Sequence, residues 1–160
     1  MAKLHATLIG LRSRLLVFLT HNMALPVLRF IRKPKVFPYS GDELKHFQKG
    51  TLGNDLINFL ETNKLQLLPH YAKHDIKHIL LQYETTDDGE VCLQCFMLGN
   101  GHLSFPVAAT VLYGLVTMPE HWKKFRTAYK RGKNSSPIAN WKWFEILHEP
   151  TATLIKKITQ

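Results

Sequence analysis

The sequence predicts an all-α protein, a single compact domain of about seven helices with a basic amphipathic helix at its N-terminus. Apolar residues recur at helical spacing between capping residues, whereas runs of alternating polarity rich in β-branched residues are nearly absent. The 160 residues, of which 45% are hydrophobic and 21% charged, suffice for one buried core and are too few for two ordinary domains.

The N-terminal segment, residues 1–41, is strongly basic and has no acidic residue. Its seven Lys or Arg residues carry most of the net charge of +9, since residues 42–160 hold fourteen basic and twelve acidic residues. We expect a helix over roughly residues 3–31, kinked near Pro26, which removes a backbone donor. This mixture of Leu, Phe and Arg has three interpretations. The helix packs on the domain, it contacts an anionic membrane surface, or it is a mitochondrial presequence. The longest apolar part is too interrupted to span a bilayer.

Residues 42–160 are expected to form the helical domain, with a Pro- and Gly-containing linker, residues 33–43, before it. The first predicted helix, within residues 50–65, is followed by a second over residues 69–83, which Pro69 suits as a first-turn residue. The apolar face of the first helix is formed by Leu52, Leu56, Phe59 and Leu60. Asn63 is the residue at which this helix is expected to end.

The later helices are bounded by turn residues. A TTDDG turn precedes a helix over residues 90–98, in which Cys92 and Cys95 are interpreted as core residues. The almost wholly apolar helix from Pro106 to Met118 is expected either to be the central core helix or to line an apolar groove. A helix beginning at Pro119 ends in a basic run, residues 123–133, interpreted as a solvated helix end or as a contact for anionic lipid or a substrate carboxylate.

Two function classes are disfavoured by composition. The body of the chain is nearly neutral and carries none of the usual readout motifs, so nucleic acid is not an expected partner. With only two cysteines there is no disulfide framework, and a reducing intracellular compartment is expected.

The strongest chemical signal is HDIKH followed by eleven residues and a glutamate. On a helix, His74, Asp75 and His78 project to one side, and the TTDDG turn returns Glu90 toward the same point. Imidazole nitrogens with carboxylate oxygens are the ligands of zinc and non-haem iron. We therefore predict a divalent-metal site, zinc first with iron or magnesium as alternatives. The competing interpretation makes Glu90 the third helical residue of a capping box begun by Asp87, with the histidines on the surface.

This constellation resembles the metal-binding signature, H-D-x-x-H-eleven-E, of the Coq-four family of ubiquinone (coenzyme Q) biosynthesis proteins. KGTLGNDLINFLETN resembles the family's Gly-Thr-x-Gly segment, and NWKWFEILHEP resembles its late segment through Asn140, Trp143 and Pro150. The resemblance covers about residues 49–160, and nothing before residue 49 matches.

The resemblance implies a helical enzyme in which His74, Asp75, His78 and Glu90 hold the metal and are the candidate catalytic residues. It implies metal-dependent oxidative decarboxylation, a lyase reaction, of a polyprenylated hydroxybenzoate-type ring. The partners it implies are a membrane surface and other quinone-biosynthesis proteins, and a homodimer is a further expected assembly. The location would be cytoplasmic or peripheral to a membrane, which in a eukaryote is the matrix side of the mitochondrial inner membrane. A non-catalytic scaffold that binds prenylated precursors is the alternative, and a metallohydrolase is disfavoured because Asp75 would reach the metal itself.

Overall fold

A computed structural model describes residues 36–160 of the protein, and the predicted all-α class is confirmed for this range. The predicted N-terminal helix lies outside the described residues. Between residues 36 and 160 a 3-10 turn, Pro119–His121, and seven α-helices are present: α1 Gly41–Lys45, α2 Leu52–Thr62, α3 Ala72–Leu81, α4 Asp87–Gly99, α5 Phe105–Thr117, α6 Trp122–Lys133 and α7 Thr151–Thr159.

The segment predicted as a linker, residues 33–43, contains the start of the first helix, Gly41–Lys45. Ser40 and Glu43 form a capping box at its start, each accepting from the other's backbone N–H. Phe37 is buried, and its N–H donates to the Pro69 carbonyl at 2.9 Å. Residues 36–45 are therefore packed onto the domain.

Helix α2 has the face and the end that its sequence predicts. Leu52, Leu56 and Leu60 are fully buried, and Asn63 is the C-terminal cap. Its first turn is hydrogen-bonded to residues 147–150, because the Leu52 N–H donates to the Glu149 carbonyl and a short β-bridge joins Thr51 to Pro150. The two flanking segments singled out in the sequence thus lie side by side.

Helix α4 lies between two apolar clusters and packs closely against α5 and α6. The larger cluster includes Phe96, and the smaller includes Val91, Cys92 and Cys95. The two predicted core cysteines are buried and free, and burial raises the pKa of the Cys92 thiol to about 11. An inert structural role follows, because the reactive form of cysteine is the thiolate.

The crossing of α4 and α6 depends on glycine. A methyl group on Gly132 would collide with the Phe96 carbonyl, and one on Gly99 would collide with the Tyr129 carbonyl. Neither carbonyl is a flexible side-chain end, so the helix backbones would have to separate.

Replacing Gly132 with alanine is expected to lower the free energy of unfolding by about 1–3 kcal/mol, because overpacking outweighs the gain in helix propensity. Denaturant unfolding measures the change. Gly41→Ala is the matched control, since its added methyl group would make only an ordinary contact, 3.7 Å from the Ile57 Cδ1. Equal stability of the two variants would show that the crossing can open at little cost.

The apolar helix α5 is not the central core helix, so that interpretation of residues 106–118 is wrong. Only Val107, Val111 and Gly114 of the helix are buried, and Phe105 is 77% exposed. The reason is position: α5 packs mainly on α4, which covers one side of it. Within residues 36–160, no helix combines the length and apolar character needed to cross a membrane.

Candidate metal site

Three of the four predicted ligands converge on one point. The Nε2 atom of His78 lies 2.9 Å from Glu90 Oε1 and 3.1 Å from His74 Nε2, and His74 Nε2 lies 3.2 Å from the same Glu90 oxygen. His74 and His78 project from α3, and Glu90 projects from α4. Among residues 36–160 this is the one group of His, Cys, Asp or Glu ligand atoms that meets closely enough to hold a metal ion.

The turn between α3 and α4 produces this convergence. Gln82 ends α3 in the left-handed conformation, with φ of 57°, and the chain reverses before Thr86 caps α4 by accepting from the Gly89 N–H. Because Thr86 is the cap, Glu90 is the fourth helical residue and not the third. The capping-box interpretation of Glu90 is therefore wrong, and its side chain is directed to the two imidazoles.

The orientation of His78 is fixed by a backbone carbonyl. Its Nδ1 lies 2.9 Å from the Tyr83 carbonyl oxygen, which only accepts hydrogen bonds, so Nδ1 carries the proton. A neutral His78 then has its lone pair on Nε2, the atom that faces His74 and Glu90. This is the tautomer that a metal-binding histidine needs, and a carbonyl partner on the other nitrogen is the usual way to hold it.

Charge couples the groups of the cluster. Burial opposes charge on His78, but its hydrogen bond to Glu90 and the charge of that carboxylate outweigh burial and raise the pKa of His78. Burial also acts to raise the pKa of Glu90, yet its hydrogen bonds with His74 and His78 lower it well below the usual range. In the metal-free protein, Glu90 therefore favours the protonated form of His78, and the contact between the two side chains joins α3 to α4.

The cluster has a buried side and an open side. The side chain of His78 is 1% exposed, whereas those of His74 and Glu90 are 30% and 28% exposed. The ring of Phe59 stacks on His78 with centroids 6.1 Å apart, and the ring of Tyr71 meets His74 edge-on. The side of the cluster that is open to solvent is therefore formed by His74 and Glu90.

The donor atoms fit a divalent cation. Two imidazole nitrogens and one carboxylate oxygen are a zinc ligand set, and three protein ligands leave a position for water or substrate. Atoms bound at 2.0–2.2 Å to one tetrahedral ion are roughly 3.3–3.5 Å apart. The observed separations of 2.9–3.2 Å are only a few tenths of an ångström shorter.

Asp75, the fourth predicted ligand, is placed differently. It is buried on α3, but its carboxylate is not among the converging atoms. Burial raises the pKa of Asp75. The charges of His74 and His78 act against that rise, so the carboxyl group lies close enough to both imidazoles to interact with them electrostatically. The structure thus brings together His74, His78 and Glu90 and leaves Asp75 beside them.

A cleft adjoins the buried side of the cluster. Its volume is about 420 Å³, and it lies where the α3–α4 turn meets the end of α2. The cleft and the cluster share two neighbours, since Phe59 stacks on His78 and the Tyr83 carbonyl binds it. The lining residues are Phe59, Asn63, Gln82, Tyr83, Glu84, Thr85 and Thr86.

Arg131 of α6 supports the α3–α4 turn and was not found by sequence reasoning. Its Nη1 donates to the Leu81 carbonyl at the end of α3, and its guanidinium lies 5.2 Å from the ring centroid of Tyr83 and 5.5 Å from that of Phe96. Because the Tyr83 carbonyl orients His78, Arg131 is connected to the cluster through the turn. No local signal marks it, since it is 50 positions from Leu81.

Replacing Arg131 with methionine is expected to lower the free energy of unfolding by about 1–3 kcal/mol through the lost carbonyl contact. It should also weaken zinc binding about tenfold, because the Tyr83 carbonyl loses its support. Competition with a chromophoric chelator measures the affinity. Lys130→Met, at an exposed neighbouring position, is the control. Unchanged zinc affinity with reduced stability would limit Arg131 to packing.

Comparisons with known proteins show the fold. No family model matches the chain, and no curated protein matches it in sequence. The crystal structure of a "putative ubiquinone biosynthesis protein" from Nostoc punctiforme PCC 73102 superposes with a TM-score of 0.63 and 20% sequence identity. The match covers 95% of this chain and 81% of that chain. The two proteins therefore share their helical fold.

Proposed function

We propose that this protein acts in ubiquinone biosynthesis as a member of the Coq-four family, catalysing metal-dependent oxidative decarboxylation of a polyprenylated hydroxybenzoate-type ring. The observation that carries the proposal is the convergence of His74, His78 and Glu90 at the spacing of the family signature. The fold shared with the Nostoc protein supports it.

The metal would be held by His74, His78 and Glu90, with Asp75 as the fourth predicted ligand. Zinc is proposed first, and iron or magnesium are the alternatives. When bound, the ion supplies Lewis acidity that stabilises an oxygen anion on the ring. With only the two neutral imidazoles and the Glu90 carboxylate bound to it, a divalent ion would leave a net positive charge in the site, which suits an anionic ring substituent; an ionised Asp75 as fourth ligand would cancel that charge.

The side chains around the cluster have separate roles in this proposal. His78, through its bond to the Tyr83 carbonyl, fixes one side of the site, while His74 and Glu90 border the open side where the ring enters. Asp75 is the candidate base, because a buried carboxyl with a raised pKa can take up a proton. In the overall change, the C–C bond to the carboxyl group breaks and carbon dioxide leaves, a hydroxyl group takes its place on the ring, and the two electrons released reduce dioxygen to hydrogen peroxide (ring–COOH + O2 + H2O → ring–OH + CO2 + H2O2).

The decisive experiment is turnover of a short-chain prenylated hydroxybenzoate labelled at its carboxyl carbon. The metal-loaded protein should release labelled carbon dioxide in the presence of dioxygen, and Glu90→Gln should not. Loaded protein that binds the isoprenoid tightly without releasing carbon dioxide would favour a scaffold that presents prenylated precursors to other enzymes.

Single substitutions distinguish the contributions of the Glu90 and Asp75 carboxylates to metal binding. Glu90→Gln is expected to weaken zinc binding by at least about a hundredfold, because it replaces the one charged ligand of the converging group with a neutral amide. Asp75→Asn is expected to weaken it by about tenfold or less, since its carboxylate lies outside the group. Metal analysis after equilibrium dialysis measures both. Equal losses would make Asp75 a direct ligand in the loaded site.

A further inference from the structure

Helix α5 presents a large apolar face to solvent. Phe105, Leu112 and Val116 are 77%, 63% and 72% exposed, and Leu103, just before the helix, is 74% exposed. No residue from position 105 to 117 is charged. Exposed apolar residues are common singly, but a continuous helix face of this kind marks an interaction surface.

The start of α6 adds aromatic and basic residues beside this face. The Trp122 indole N–H donates to the Leu115 carbonyl at 2.8 Å, so the end of α5 and the start of α6 are joined. Trp122 is 54% exposed, and Arg126 and Tyr129 follow it at helical spacing on the outer side. The opposite side of α6 is buried through Phe125 and Ala128.

The charge around the apolar face is positive. Residues 101–133 contain six Lys or Arg residues and one acid, Glu120. Lys124 is paired with Asp88, their charged atoms being 2.8 Å apart, while Lys123, Arg126 and Lys130 are exposed. The surface therefore combines apolar side chains, a tryptophan at the edge, and cations.

We propose that the exposed face of α5, with Trp122 and the basic outer side of α6, is a docking surface for an anionic lipid membrane. Apolar side chains at the acyl boundary, tryptophan and tyrosine at the interface, and cations at the headgroups are the features that bind such a surface. The positive charge of this surface favours an anionic membrane over a second copy of the chain or the basic N-terminal segment. Two copies meeting face to face would bring like charges together, and residues 1–35 carry seven basic residues and no acid.

Docking through α5 would place the metal cluster one helix away from the bilayer. Gly114 of α5 packs directly on Val91, the residue after Glu90 in α4. The proposed docking surface and the Glu90 ligand therefore belong to neighbouring helices. The docking surface itself requires neither metal nor turnover, so its test is independent of the proposed enzyme activity.

The test is sedimentation of the full-length chain with vesicles of phosphatidylcholine, alone or with about one quarter phosphatidylglycerol. Wild type should bind the anionic vesicles, and less so at high salt. The double variant Leu112→Glu, Val116→Glu should bind at least about tenfold more weakly. Leu68→Glu is the matched control, because Leu68 is 45% exposed and lies outside α5 and α6; its binding should fall far less.

A second measurement follows tryptophan fluorescence and needs no substitution in α5. Brominated lipid in the anionic vesicles should quench the protein's tryptophan fluorescence, and Trp122→Phe should remove most of the quenching, since Trp143 is only 5% exposed and the half-buried Trp141 lies outside α5 and α6. Three results would overturn the proposal: no binding to anionic vesicles, equal binding by the α5 variant and wild type, or a wild-type dimer that the α5 substitutions dissociate.

Discussion

Replacing His78 with alanine is expected to lower the affinity for zinc by at least about a hundredfold and to abolish the proposed decarboxylation. Removing a group that only orients a ligand already costs about 10–100-fold, and His78 is itself one of the converging groups. The substitution also leaves Glu90 without its nearest partner, 2.9 Å away. Metal content by elemental analysis and zinc affinity by chelator competition measure the loss.

His70→Ala is the matched control for this substitution. His70 is exposed one turn before His74, so its removal should leave zinc affinity unchanged. Because His78 is buried, its loss also disturbs packing, and thermal unfolding of the metal-free variants separates that effect from metal binding. A His78→Ala protein that is folded and binds zinc like wild type would refute the metal site.

Acidification is expected to have opposite effects on the metal-free and zinc-loaded proteins between about pH 8 and pH 6. In the metal-free protein, the pKa of His78 is raised above 6.5. Its contribution to stability is therefore fully present below pH 6.5 and lost as the pH rises through the folded-state pKa. Asp75, whose pKa is also raised, lowers stability as the pH rises from 3.8 through its folded-state pKa, because folding disfavours its charged form.

Zinc binding follows the reverse trend, since the ion requires neutral imidazoles and displaces their protons. Affinity should fall by roughly tenfold per pH unit for each displaced proton. Glu90 does not contribute in this range, because its pKa is lowered and it stays ionised. Thermal unfolding with and without zinc is the measurement, and the zinc-induced increase in Tm should be larger at the higher pH. A pH-independent increase would place the ion elsewhere, and Glu90→Gln shows how much of the trend belongs to this cluster.

The sequence predicted the parts of the fold that depend on local chemistry. The face of α2, its end at Asn63 and the turn before α4 follow from apolar spacing and capping residues, which act within a few positions. The same local rule brought His74 and His78 together, since side chains four apart are about 40° apart around a helix. Asp75 is rotated by about 100° from His74, which accounts for its place beside the converging atoms.

Long-range packing was beyond sequence reasoning. The hydropathy of α5 shows that the helix is apolar but not what covers it, and the structure leaves Phe105 and Val116 exposed. Arg131 reaches the α3–α4 turn only because α6 crosses α4 at Gly132. The cap at Thr86, one residue before Asp87, decided the role of Glu90, and such one-residue shifts exceed what capping patterns resolve.

The unequal burial of the two imidazoles has a stereochemical consequence. With the His78 side closed by the protein and the His74 and Glu90 side open, a planar aromatic ring can approach the cluster from the side of His74 and Glu90. In the proposed reaction, the two faces of the ring are then no longer equivalent, and an incoming oxygen would reach the same face in each turnover.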